Sequence, residues 1–177
     1  FELPKPFFVL ATENPIEQAG TFALPEAELD RFMIKTHIGY PPKESEKEML
    51  EAVQVEHPIY KLKSVMDIKE VITLRKQIKN IRINDDIRDY IVRITSETRN
   101  NENLLLGGSP RASIALQRLA QGFAGFESRE FVIPDDVKRV FLPVLRHRVK
   151  LTPQARIKNL SIDKVLEEIL SNVKVPK

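Results

Sequence analysis

The sequence predicts an α/β fragment followed by an all-α helical bundle, with helix predominating overall. Three observations predict it. Phe7–Ala11 is a continuous apolar run, too short for a helix and rich in aromatic and branched residues, as a buried strand is. In residues 32–40, Phe32, Ile34, Thr36, Ile38 and Tyr40 alternate with Met33, Lys35, His37 and Gly39, a period-two strand signal. Beyond the Pro41-Pro42 pair, every apolar pattern has helical spacing.

Taken in order, the Phe7–Ala11 strand runs into Thr12, Glu13, Asn14 and Pro15, and an Asn-Pro stop initiates a turn. A loop containing Gly20 follows. Pro25 opens a short helix over PEAELDRF, with Glu26 and Glu28 in its first turn and Arg31 near its end, the charge order a helix dipole favours. The 32–40 strand closes at Gly39 and the proline pair. Helices are then expected over ESEKEMLEAVQ, over 66–78 with Asp67 or Ser64 as cap, over 85–97, over 109–126, over 134–146 and over 162–173. In the 109–126 helix, Ile114, Leu116, Leu119, Phe123 and Phe126 are expected to pack, with small alanines between them. Short loops join these helices into a bundle, and the domain boundary is placed at 40/41. Two strands and one helix cannot cover both faces of a sheet. Strands from an upstream segment or from a second copy are expected to complete it.

Composition narrows the functions. The chain has 177 residues, 42% apolar and 30% charged, enough for a real core and a solvated surface. It has no cysteine, which excludes disulfides, thiolate zinc sites and cysteine nucleophiles. His37, His57 and His147 are too far apart to form a metal-spaced pair. No apolar run reaches bilayer-spanning length and no signal-peptide pattern opens the chain, so a cytoplasmic protein is expected. The net charge of +3 permits a nucleic-acid partner without arguing for one. The chain opens on Phe1 with a strand-like run close behind, so a piece of a longer protein is expected.

Three polar residues carry candidate chemistry. Arg111 follows Ser109, a good N-cap, and Pro110, which suits a first helical position. It therefore lies in a first turn, where the dipole opposes a cation and an anion is needed to explain it. A phosphate would serve, since helix N-termini hold phosphates through free N–H groups. A surface carboxylate would serve as well. Asn14 ends a strand where ligands of open α/β sheets bind, although an Asx turn before Pro15 explains it too. Arg31 reads by itself as a dipole-complementing arginine, with Asp30 free to pair with it or with a neighbour.

Together their contexts resemble one family. PFFVLATENPIEQAGTFALPEAELDRF is similar to the sensor-1 strand and following helix of AAA+ ATPases of the MoxR family. LLLGGSPRAS resembles that family's sensor-2 helix start, and REFVIPDDVKRVFLPVLRHRV its closing helical segment. The resemblance implies that residues 1–40 are the last strands and helix of a AAA+ P-loop NTPase core and that 41–177 form its helical lid. It implies that Asn14 is sensor 1, orienting the attacking water. Arg111 would be sensor 2 on the ATP phosphates, beside Ser109 and Pro110, and Arg31 an arginine finger reaching a neighbouring subunit. Glu26 would assist at that boundary. ATP and Mg²⁺ are implied as cofactors of the complete protein, along with a homo-oligomeric ring (a hexamer) and chaperone-like remodelling or maturation of client proteins.

One departure qualifies this. No glycine here precedes a lysine, so G-x-x-x-x-G-K-[ST] is missing, and no Asp-Glu pair ends a strand. The phosphate cradle and Mg²⁺ ligands are therefore expected upstream, in the other half of the same core. The stretch alone is expected to be inactive and to hold no nucleotide tightly. The competing readings are a truncated adaptor and a helical interaction module without ATPase activity. The latter would bind a protein, or nucleic acid through Arg146, His147, Arg148 and Lys150, a basic cluster with no aromatic stacking platform beside it.

Overall fold

In the computed structural model, residues 1–13, 24–55 and 57–176 are described. Their elements are α1 (Glu26–Leu29), α2 (Lys43–Val55), a 3₁₀ turn (Pro58–Lys61), α3 (Ile68–Asn80), α4 (Asp85–Asn100), β1 (Leu104–Leu106), α5 (Pro110–Phe126), α6 (Pro134–Leu145), β2 (Lys150–Leu151), α7 (Pro153–Ile157) and α8 (Ile162–Asn172). The helix starts follow cap chemistry. Asp67, not Ser64, caps α3 in a reciprocal box with Glu70. Asn84, Ser109, Thr152 and Ser161 cap α4, α5, α7 and α8 through side-chain oxygens.

The core lies among α4, α5, α6 and α8. Ile87, Tyr90, Ile91 and Ile94 of α4 are buried against Val137, Val140, Phe141, Val144 and Leu145 of α6 and Val165, Leu166 and Ile169 of α8, in one cluster. Helix α5 differs from expectation. Ile114 is 52% exposed and Phe126 85%, whereas Ala112, Ala115, Leu116, Ala120 and Ala124 are buried. Leu116 is buried and Leu119 and Phe123 pack against the core as expected. The alanines share the core stripe because their small side chains let α5 lie close to its neighbours, which leaves Ile114 and Phe126 on other faces.

Two further corrections concern strands. Residues expected to be wholly helical after position 42 include an antiparallel pair, β1 with β2, in which Leu104 faces Leu151. Segments of two and three residues are too short for periodicity to reveal. Conversely, neither 7–11 nor 32–40 forms a regular strand. Phe7, Phe8, Val9 and Leu10 are 53–84% exposed. A strand exists only through a hydrogen-bonded partner strand, and among the described residues neither segment has one. Gly39, at φ +71°, takes the left-handed conformation just before the proline pair. Asn14 and most of the loop after it fall outside the described residues.

Candidate functional site

The N-terminus of α5 meets the turn that follows α1. Gly107 and Gly108 bring the chain there by passing tightly beside α4. A Cβ on Gly107 would lie 2.6 Å from both the Arg99 Cα and the Thr98 carbonyl oxygen. Thr98 Oγ1 accepts from the Gly108 N–H at 2.8 Å, and Arg99 Nε donates to the Gly108 carbonyl at 2.7 Å. The start of α5 is thereby fixed from α4.

An anion already sits at this helix start. The Asp30 carboxylate accepts from Ser109 Oγ at 2.9 Å, and Arg111 Nη1 lies 3.4 Å from the same group. The Arg111 side chain is 57% exposed, so its single carboxylate contact is weak and most of its donors face outward. The Ser109-Pro110-Arg111 group therefore holds a negatively charged oxygen pair, the chemistry a phosphate would also present.

Asp30 is held from its other side by Arg148, whose side chain is 3% exposed. All five guanidinium N–H groups find acceptors. Nε donates to the Asp30 carboxylate at 3.1 Å, and Nη2 to the Asp30 carbonyl at 3.2 Å. Nη1 donates to the Met33 carbonyl at 3.1 Å. The two remaining donors bond the carbonyls of Phe32 and Val144. Burial pushes the Arg148 guanidinium below its ordinary value and the Asp30 carboxylate opposes this. An arginine nonetheless stays charged.

Neighbouring contacts fasten the same turn. His147 Nε2 donates to the Phe32 carbonyl at 3.0 Å, and burial lowers the imidazole pKa, so the ring is neutral with its proton on Nε2. The Lys35 N–H donates to the Pro143 carbonyl at 2.9 Å. Pro143 and Val144 lie in the last turn of α6, so carbonyls left free by the helix end are satisfied by the turn and by Arg148. Lys150 pairs with Glu26.

Of the residues singled out in the sequence, Ser109 and Arg111 meet the turn through Asp30, with Pro110 between them in the chain, whereas Glu26, at the start of α1, pairs with Lys150. Arg31 lies within that turn and is exposed, with no side-chain partner among the described residues. Asp30 pairs with Arg111 and Arg148 rather than with Arg31. The basic run 146–150 is not a free cationic surface. Arg146 pairs with Asp163 at 3.1 Å, and His147, Arg148 and Lys150 are engaged as above.

Sequence reasoning missed the roles of Asp30 and Arg148. One signal was present. Asp30 stands at the C-terminal end of a helix and Arg111 at the N-terminal end of another, each opposed by its local dipole. Two misplaced charges of opposite sign point to a pair. Nothing local distinguishes Arg148 from Arg146.

The comparisons with known proteins fall on both sides of this junction. Residues 96–169 match the AAA lid domain, and residues 1–34 match the ATPase family associated with various cellular activities. The chain is 42% identical over 175 residues to the uncharacterised protein YeaC of Bacillus subtilis, and covers 55% of it. It is 36% identical over 185 residues to the chaperone MoxR1 of Mycobacterium tuberculosis, covering 48% of that protein. In both cases 99% of this chain is matched, so the chain spans about half the length of these curated relatives. The crystal structure of a candidate ATPase from Cytophaga hutchinsonii superposes with a TM-score of 0.91 at 35% identity, over all of this chain and 56% of that one.

Proposed function

This chain belongs to the MoxR-type AAA+ ATPases, and from that premise we propose that it is the sensor, finger and lid portion of an ATP hydrolase. Residues 1–40 close the α/β core and 41–177 form the lid. ATP supplies the phosphoryl group whose transfer to water drives the protein, and Mg²⁺ neutralises charge on it. Among the described residues, no cluster of three acidic or histidine side chains is spaced to hold a metal ion. The Mg²⁺ ligands and phosphate loop are assigned to the upstream half of the core.

Arg111, with Ser109 and Pro110, contacts the nucleotide phosphates from the lid. The observation carrying this reading is the Asp30 carboxylate seated on the α5 N-terminus, which marks that place as fit for an anion. Asn14 orients the attacking water. Arg31 serves the neighbouring subunit's site in a ring, proposed as a hexamer, and Glu26 lies at the same boundary. Movement of the lid against the core remodels or matures a client protein, as the chaperone relative suggests. A cytoplasmic location is part of this proposal; no described helix is long and apolar enough to cross a membrane.

The test is steady-state hydrolysis and nucleotide binding by the complete protein. Arg31→Ala is expected to lower kcat by about 10³-fold or more, with nucleotide affinity retained. Arg111→Ala is expected to weaken binding and turnover together. Unchanged turnover in Arg31→Ala would remove the finger assignment, and unchanged binding in Arg111→Ala the sensor-2 assignment.

A further inference from the structure

We propose that Arg148 is a positioning residue for hydrolysis. It locks the backbone on both sides of Arg31 and, through Asp30, fastens that turn to the helix start bearing Arg111. The inference rests on the reading of Arg31 as a finger.

The geometry is specific. Arg148 binds the carbonyls of Asp30, Phe32 and Met33, which bracket Arg31, and leaves Arg31 itself untouched. A fourth bond, to Val144, anchors the guanidinium in α6. The fifth, to the Asp30 carboxylate, reaches the group that Ser109 and Arg111 hold from the lid side. Four of the five acceptors therefore belong to residues 30–33, and the fifth to the helix on which they rest. A four-residue helix and an irregular turn have little intrinsic rigidity. A finger works only when its guanidinium is placed to within a fraction of an ångström of developing charge. Arg148 gives the turn the definition that its own secondary structure lacks. Lysine cannot substitute, because its three donors do not form a planar five-donor fork.

Two consequences separate positioning from mere structural support. Arg148 should act through Arg31, and it should act on the neighbour's site rather than its own. In the complete protein, Arg148→Lys is expected to lower kcat about tenfold or more while nucleotide affinity changes by less than about twofold. The Arg31→Ala/Arg148→Lys double variant should be no slower than Arg31→Ala alone. In mixed rings, Arg148→Lys subunits keep their own phosphate contacts but present a misplaced finger, whereas Arg111→Ala subunits have weakened sites but well-placed fingers. Mixing the two should raise turnover above the mean of the separate preparations, as mixing Arg31→Ala with Arg111→Ala should.

Wild-type kcat in Arg148→Lys, or no gain on mixing while the Arg31→Ala and Arg111→Ala mixture does gain, would overturn the inference and leave the finger reading standing. Wild-type turnover in Arg31→Ala would remove both. Should Arg148→Lys fail to fold, Asp30→Asn takes its place. It removes the charge from the acceptor of one of the five bonds and leaves the four bonds to carbonyls untouched, and a loss of kcat with recovery on mixing is again expected. Unaltered turnover there would count against the network.

Discussion

Residues 1–80 and residues 85–172 both carry apolar side chains at regular spacing, but among the described residues every buried one lies between Ile87 and Ile169. Phe8 and Leu10 are as apolar as Leu116 and Phe141, yet the first pair is 78% and 84% exposed and the second pair fully buried. The bundle is self-sufficient because four helices supply faces to one another. The first eighty residues have many faces without partners, although α3 packs on α5 and residues 26–35 touch the bundle. At residues 26–35 the attachment is polar, through Arg148, Arg111, Ser109, His147, Lys150 and backbone carbonyls. Hydrophobic pattern shows that a segment is made to be covered, and contacts decide whether it is.

The contrast can be tested, beginning with the largest expected effect. Arg148→Met should destabilise the chain by about 3–5 kcal/mol, because it takes the buried guanidinium away from the Asp30 carboxylate and leaves several carbonyls without their donor. Urea unfolding measures this, and an unchanged midpoint would mean that the polar attachment contributes little. Leu116→Ala, in the self-sufficient bundle, should cost about 2–5 kcal/mol by the same measurement. Ser109→Ala removes the α5 cap and its bond to Asp30, with an expected loss of about 1 kcal/mol. Phe8→Ala should change the stability of this chain by no more than about 0.5 kcal/mol. In the complete protein the same substitution becomes costly if the upstream half covers Phe8, so measuring it in both sharpens the comparison.

A pH dependence follows from His147. Burial lowers its folded pKa below the ordinary 6.5. Its contribution to stability is fully present above that ordinary value and declines as pH falls through the folded one, because the unfolded chain binds the proton more readily. Thermal unfolding between about pH 5 and 8 should show this decline, and His147→Gln should flatten it.

Much of the bundle was legible in the sequence. Asp67, Asn84, Ser109 and Ser161 are caps with local chemistry, and the isoleucines of α4 repeat at helical spacing. The alanine stripe of α5 was harder to read, since periodicity weighted by size favours Ile114 and Phe126 over Ala112 and Ala120. Only the distance between helices determines that small residues face inward there. The junction was the least legible part. Arg148 and Asp30 are 118 positions apart, and no local rule links a buried guanidinium to the carbonyls of a distant turn. Ser109 and Arg111 were found because helix starts have strict local requirements, and Arg31 because its surroundings resemble a known family.

The hydrogen bond from the Lys35 N–H to the Pro143 carbonyl has a kinetic consequence. Residues 34–38 belong to no helix or ladder, so most of their amides should exchange with solvent deuterium as fast as those of an open chain. Lys35 is the exception, because its proton is shielded only while the turn rests on α6. The exchange rate of this one amide is thus a direct reporter of how often the turn lifts away, and it can be followed without nucleotide or turnover.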